Sequence, residues 1–111
     1  MAISTCADTA TAKEIANALV GGRLAACVQM MPIESIYAWQ GKVCDEGEIA
    51  LLIKTKVGLF DKIVAAIKGI HPYEVPEIIQ LPITGGSPEY LRWIDGCVEG
   101  NGKASERAKT G

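Results

Sequence analysis

Chemistry concentrates in seven consecutive residues, His71-Pro72-Tyr73-Glu74-Val75-Pro76-Glu77, which hold the only histidine and two of the five prolines. An imidazole, a phenol and two carboxylates could ligate a metal or move protons. Cys6, Cys27, Cys44 and Cys97 add four thiols. A thiolate with an imidazole suits copper or zinc, whereas carboxylates alone favour magnesium or calcium. Cys27 with His71 could also act as nucleophile and base, but no orienting third group or oxyanion device is evident. Each candidate has a plainer alternative. Two prolines can simply brace a loop that sets a strand's register, and a cysteine after Ala25-Ala26 can be core.

The cysteines are widely and irregularly spaced, with no C-x-x-C pair. That pattern suits free thiols in a reducing compartment rather than a disulfide framework, and it gives no zinc-finger pairing. The 111 residues make one domain, 49% apolar with one Phe, two Trp and three Tyr, so its core is aliphatic. A net charge of −2 with scattered Lys and Arg provides no basic field for nucleic acid or anionic lipid. No apolar run approaches the ~20 residues a membrane span needs, and the first residues lack a signal-peptide pattern. The expected location is the cytoplasm.

The elements that must position these groups follow from periodicity. Ala2 to Thr5 is a short strand. Asp8 or Thr9 caps a helix over 9–20, with Ala12, Ile15, Ala16 and Leu19 on one stripe and Gly21-Gly22 as its stop. Leu24 to Met31 is a strand, ended or bent by Pro32. Alternation resumes over 33–40, Gly41 to Gly47 carries a turn containing Cys44, and Glu48 to Thr55 returns. A second helix covers 59–68, with Phe60, Ile63, Val64 and Ile67 inward and Gly69 as its stop. Pro72 and Pro76 push His71 and Val75 into extended backbone ahead of the strand Ile78-Ile79-Gln80-Leu81. Ser87-Pro88-Glu89 starts a last helix, which carries Tyr90, Trp93, Ile94 and Cys97 on one face to about residue 98. The reading gives a folded domain over 1–98 and a disordered polar tail over 99–111.

Strand, helix, two strands, helix, strand is the α+β ferredoxin-like order βαββαβ. It has an antiparallel sheet with both long helices on one face and a short C-terminal helix appended. The hairpin outreaches a domain of this size and carries aliphatic and aromatic side chains on both faces. Such strands need a partner, so another subunit is expected to cover them, with Tyr37 and Trp39 at or near the interface.

Five blocks resemble the CutA1 family of divalent-cation tolerance proteins. They are Leu24-Ala25-Ala26-Cys27-Val28, Ile36-Tyr37-Ala38-Trp39-Gln40-Gly41-Lys42-Val43, Ile53-Lys54-Thr55, His71 to Ile78, and Tyr90-Leu91-Arg92-Trp93. The resemblance runs from about Ile3 to Val98. It implies a ferredoxin-like homotrimer linked to tolerance of copper and other divalent metals. It also implies strand residues upstream of Met1, so the first strand is expected to be short. Three metal ligands are implied: a first-strand cysteine, the cysteine of the L-A-A-C block and the histidine of H-P-Y. Cys27 and His71 match the last two. Ser4 stands at the first position, and Cys6, two residues later, is displaced by about 6–7 Å along the same strand face.

Lys54, Glu74 and Glu77 could line a cleft between subunits, with Trp39, Tyr90 and Trp93 as apolar walls. Their alternatives are an ion-pair network that fixes register and aromatic anchors in the core or interface. Three functions follow. The first is a non-enzymatic, copper-type metal-binding or tolerance trimer using His71 and Cys27. The second is a regulator or scaffold resembling the PII signalling trimers, with a small ligand between subunits and no phosphate loop for nucleotide. The last is a thiol–imidazole enzyme. Self-association and metal ions are the expected partners.

Overall fold

The computed structural model describes residues 1–100, and the expected tail lies outside the described residues from position 101 onward. Its elements are β1 (Ala2–Cys6), α1 (Thr9–Gly21), β2 (Cys27–Trp39), β3 (Lys42–Lys54), α2 (Phe60–Ile70), β4 (Ile78–Gln80) and α3 (Pro88–Cys97). A single 3₁₀ turn, Val57–Leu59, leads into α2. The strands form one antiparallel sheet in the order β2-β3-β1-β4, which is the ferredoxin-like arrangement.

Asp8 starts α1, its carboxylate accepting from the Thr11 N–H at 2.7 Å. That bond holds the Asp8 carboxyl below its usual range. Ala12, Ile15 and Leu19 then face inward and are buried. At the helix end a Cβ on Gly22 would stand 2.9 Å from the Ala18 carbonyl oxygen, so this position has room only for hydrogen. Gly22→Ala should cost about 1–3 kcal/mol in urea unfolding, the usual penalty of forced overpacking. An unchanged midpoint would mean that the turn yields freely.

The core lies between the helices and one sheet face. Ile15 and Leu19 of α1 and Ile63 and Ile67 of α2 meet Ala2, Cys6, Leu51 and Ile53, all of them fully buried. Side chains alternate along a strand, so Ile3, Leu52 and Ile79 point to the opposite face, as does Met31. Neither α1 nor α2 covers that face, and Met31 and Ile79 stay 46% and 47% exposed.

Pro32 does not divide the second strand. It sits within β2 opposite Ile49, and β2 pairs only with β3 among the described residues, so the missing N–H faces away from the ladder. The expected turn over 41–47 shrinks to Gln40-Gly41, both with positive φ (49° and 76°), as a two-residue hairpin with right-handed twist demands. Asp45, Glu46 and Gly47 resemble turn residues because the hairpin here runs past the sheet, where this chain's own core demands no apolar side chain at every second position. β1 reaches only as far as Ile49, leaving Lys42 to Glu48 paired with β2 alone. Ile36, Trp39 and Val43 on this projecting arm are 72%, 58% and 79% exposed.

At the other terminus, Ser87 accepts from the Tyr90 N–H to cap α3, and Ile94 and Val98 are buried. The Glu99 N–H donates to the Arg23 carbonyl at 2.7 Å, and its carboxylate pairs with Lys62.

Candidate functional site

Pro72 forces extended backbone onto His71 (φ −67°, ψ 132°), which ends α2 there. Gly69 therefore lies inside the helix rather than stopping it. The His71 side chain is buried, 7% exposed. Its Nε2 lies 2.7 Å from the Thr5 carbonyl oxygen, and its Nδ1 lies 3.1 Å from the Tyr73 backbone nitrogen. A carbonyl only accepts and an amide N–H only donates. The contacts therefore assign the ring's N–H to Nε2 and leave the Nδ1 lone pair to accept from Tyr73. The Tyr73 ring stands against it with centroids 4.8 Å apart. Burial pushes the Tyr73 phenol upward, and the charges of Glu48 and Glu46 add to that.

The same segment is tied down at its far end. Ser4 is fully buried and donates its hydroxyl to the Glu77 carbonyl at 2.7 Å. Glu74 and Glu77 themselves are exposed. Glu74 and Lys68 flank a hollow of about 270 Å³ with Phe60, Val64, Val75, Pro76 and Ile78. Cys6 does not take the place of the cysteine implied at position 4. It is fully buried, its thiol donates to the Asp8 carbonyl at 3.3 Å, and burial pushes that thiol's pKa up.

Cys27 sits elsewhere. It opens β2 opposite Lys54, whereas Thr5, the anchor of His71, lies opposite Ala50. Four residues of strand separate these rows by about 13 Å, and two strand spacings add about 10 Å across the sheet. The expected Cys27–His71 pair therefore does not form within one chain. Among the described residues no three His, Cys, Asp or Glu side chains converge on a point where one chain could hold an ion. Cys27 is half-buried and near Tyr90, whose phenol is pushed up first by burial and then by the thiol. Tyr90 stacks on Trp93 at 5.5 Å, and Lys54 lies close enough to the Met1 amino group to lower it after burial does.

The six cleft candidates thus divide into three places. Lys54, Tyr90 and Trp93 stand at the Cys27 end, and Glu74 and Glu77 lie in the His71 segment. Trp39 is opposite Lys42 at the hairpin tip, twelve residues along β3 from Lys54. That is about 40 Å of strand, so Trp39 is no wall of a cleft in its own chain. Cys44, expected in a turn, lies in β3 opposite Tyr37 and is half-buried. Tyr37 donates to Glu46, and that bond pushes its phenol up to about 12. The residues not singled out by chemistry type were Thr5, through its carbonyl, and Ser4, through its hydroxyl. Two adjacent polar residues in a buried strand were the available signal.

A family model described as CutA1 divalent ion tolerance protein matches residues 1–97. The mouse Protein CutA is 44% identical over 99 residues, covering 88% of this chain and 56% of that protein. The chain spans less than two thirds of the vertebrate relatives it matches first. A solved structure, the divalent cation tolerance protein of Thermus thermophilus, superposes with a TM-score of 0.81 at 47% identity, over 84% of this chain and 91% of that one. A second, named the periplasmic divalent cation tolerance protein CutA of Archaeoglobus fulgidus, gives 0.86 at 37% identity, over 88% and 96%.

Proposed function

Because the chain belongs to the CutA1 divalent ion tolerance family, we propose that it is a non-enzymatic, cytoplasmic homotrimer that binds a copper-type cation. The observation that supports this reading best is the uncovered sheet face with its projecting hairpin. Ile3, Met31, Leu52 and Ile79 lie on the face away from both long helices, and β2 and β4 each pair on one side only among the described residues. An apolar face between two open edges favours a closed ring of copies, which removes both liabilities at once. The metal reading is carried by Cys27. One thiol is too few ligands for a tight site, and a ring brings one from each copy. Soft thiolate ligation selects copper over magnesium.

Titrating the purified assembly with copper, zinc and magnesium tests this. Copper and zinc should bind, with affinity falling as pH drops, since ligation needs a deprotonated thiol. Cys27→Ser should weaken copper binding about tenfold or more while sedimentation still reports the trimer. An unchanged copper affinity in that variant would remove Cys27 from the site.

A PII-like ligand-binding role is the second reading, and hollow sizes bear on it. A hollow lined by Thr55, Lys56, Leu91 and Asp95 measures about 190 Å³. Like the one beside Glu74, it falls below the roughly 300 Å³ of ordinary small-molecule sites. Such a ligand would therefore need a cleft completed by a second copy.

A further inference from the structure

We infer that Ser4 and His71, two of the three positions the resemblance marks for metal, form in this chain a metal-independent clamp that fastens residues 71–77 to β1. The bonds fall at the two ends of the segment. His71 Nε2–H reaches the Thr5 carbonyl at 2.7 Å, and the Ser4 hydroxyl reaches the Glu77 carbonyl at 2.7 Å. Their β1 anchors are consecutive residues. The ring's one lone pair is closed off by the Tyr73 N–H at 3.1 Å. The imidazole has no nitrogen left to offer a soft ion without breaking the attachment of its own segment, and the Ser4 hydroxyl, its proton given to Glu77, keeps only neutral oxygen lone pairs. A serine hydroxyl is also a poor substitute for a thiolate toward copper.

The sheet explains why side chains are needed here. The β4 ladder on β1 ends at the pair Ser4–Ile78. Continuing it would set Glu77 opposite Thr5, a hydrogen-bonding position in step with the Met1–Leu81 pair, but β4 ends before that pair forms. The Thr5 carbonyl at this open end lacks its ladder donor and, lying in a buried region, needs another. The imidazole N–H supplies it, and the Ser4 hydroxyl adds a bond to the Glu77 carbonyl. They fix where the exposed Tyr73, Glu74 and Val75 stand.

Hydrogen exchange on the full chain, with and without a chelator, tests the clamp when combined with copper stoichiometry. The wild type should protect the amides of Tyr73, Glu74, Val75 and Glu77 equally in both conditions. His71→Ala and Ser4→Ala should each speed exchange there roughly tenfold, the effect of one lost hydrogen bond. His71→Gln keeps an N–H that can reach the Thr5 carbonyl, so it should restore part of the protection. All three variants should bind as much copper per chain as the wild type. Should His71→Ala fail to fold, Ser4→Ala and His71→Gln decide the matter, since both preserve most of the volume. The clamp is overturned if the chelator alone loosens the wild-type segment, if exchange is unchanged in Ser4→Ala and His71→Gln alike, or if His71→Gln keeps protection but loses copper.

Discussion

Leu52→Arg should yield a folded chain that sediments as a monomer at micromolar concentration, where the wild type should sediment as a trimer. Leu52 lies between Gln29 and Ile3 in the centre of the sheet, on the face opposite buried Leu51 and Ile53. In a single chain Leu52 is only half-buried, so an arginine there can carry its charge to solvent while the core between sheet and helices is undisturbed. In the proposed trimer the same guanidinium is enclosed without a partner. An unpaired buried charge costs about 3–5 kcal/mol, which corresponds to association weakened by roughly a hundredfold to several thousandfold. Sedimentation equilibrium with circular dichroism separates dissociation from unfolding. A variant that remains trimeric would place the interface on another surface.

Ile63→Ala acts on the other face and should destabilise the chain by about 2–5 kcal/mol, measured by urea unfolding at fixed protein concentration. Ile63 is fully buried in α2 and belongs to the cluster formed with Ile15, Leu19, Leu51 and Ile53. The range is wide because the cost depends on how far the neighbours collapse into the vacated volume. Here the site is walled by two helices and a sheet, which limits collapse and favours the upper half. Domains of this kind are stable by only about 5–15 kcal/mol, so the loss is a large share. Val64→Ala, one position along on a half-buried residue, should cost clearly less. Equal losses would mean that the α2 stripe is rotated from its observed position.

Much of the architecture was legible because it rests on local rules. The Ala12, Ile15, Leu19 stripe, the Asp8 and Ser87 caps and the order of elements were all readable from periodicity and cap chemistry. The proline pair correctly required extended backbone at His71. The boundaries that moved are those where polarity misled. Asp45 to Gly47 are polar because no core of this chain packs against the arm, and Pro32 is tolerated because β2 pairs on one side only among the described residues.

The candidate site was legible only as residue types. The sequence alone determined that an imidazole, its proline brace and a thiol at position 27 exist, and that position 4 carries serine rather than cysteine. Tertiary structure decided what those groups can do. Register along β3 sets Cys27 and Trp39 at opposite ends of a long hairpin and puts His71 near neither, a relation that depends on pairing between strands far apart in the chain. Whether an imidazole lone pair is available depends on which backbone groups meet it. Here Thr5 and Tyr73 take both nitrogens, because β4 ends one pair short of Thr5 and the Thr5 carbonyl must still be satisfied.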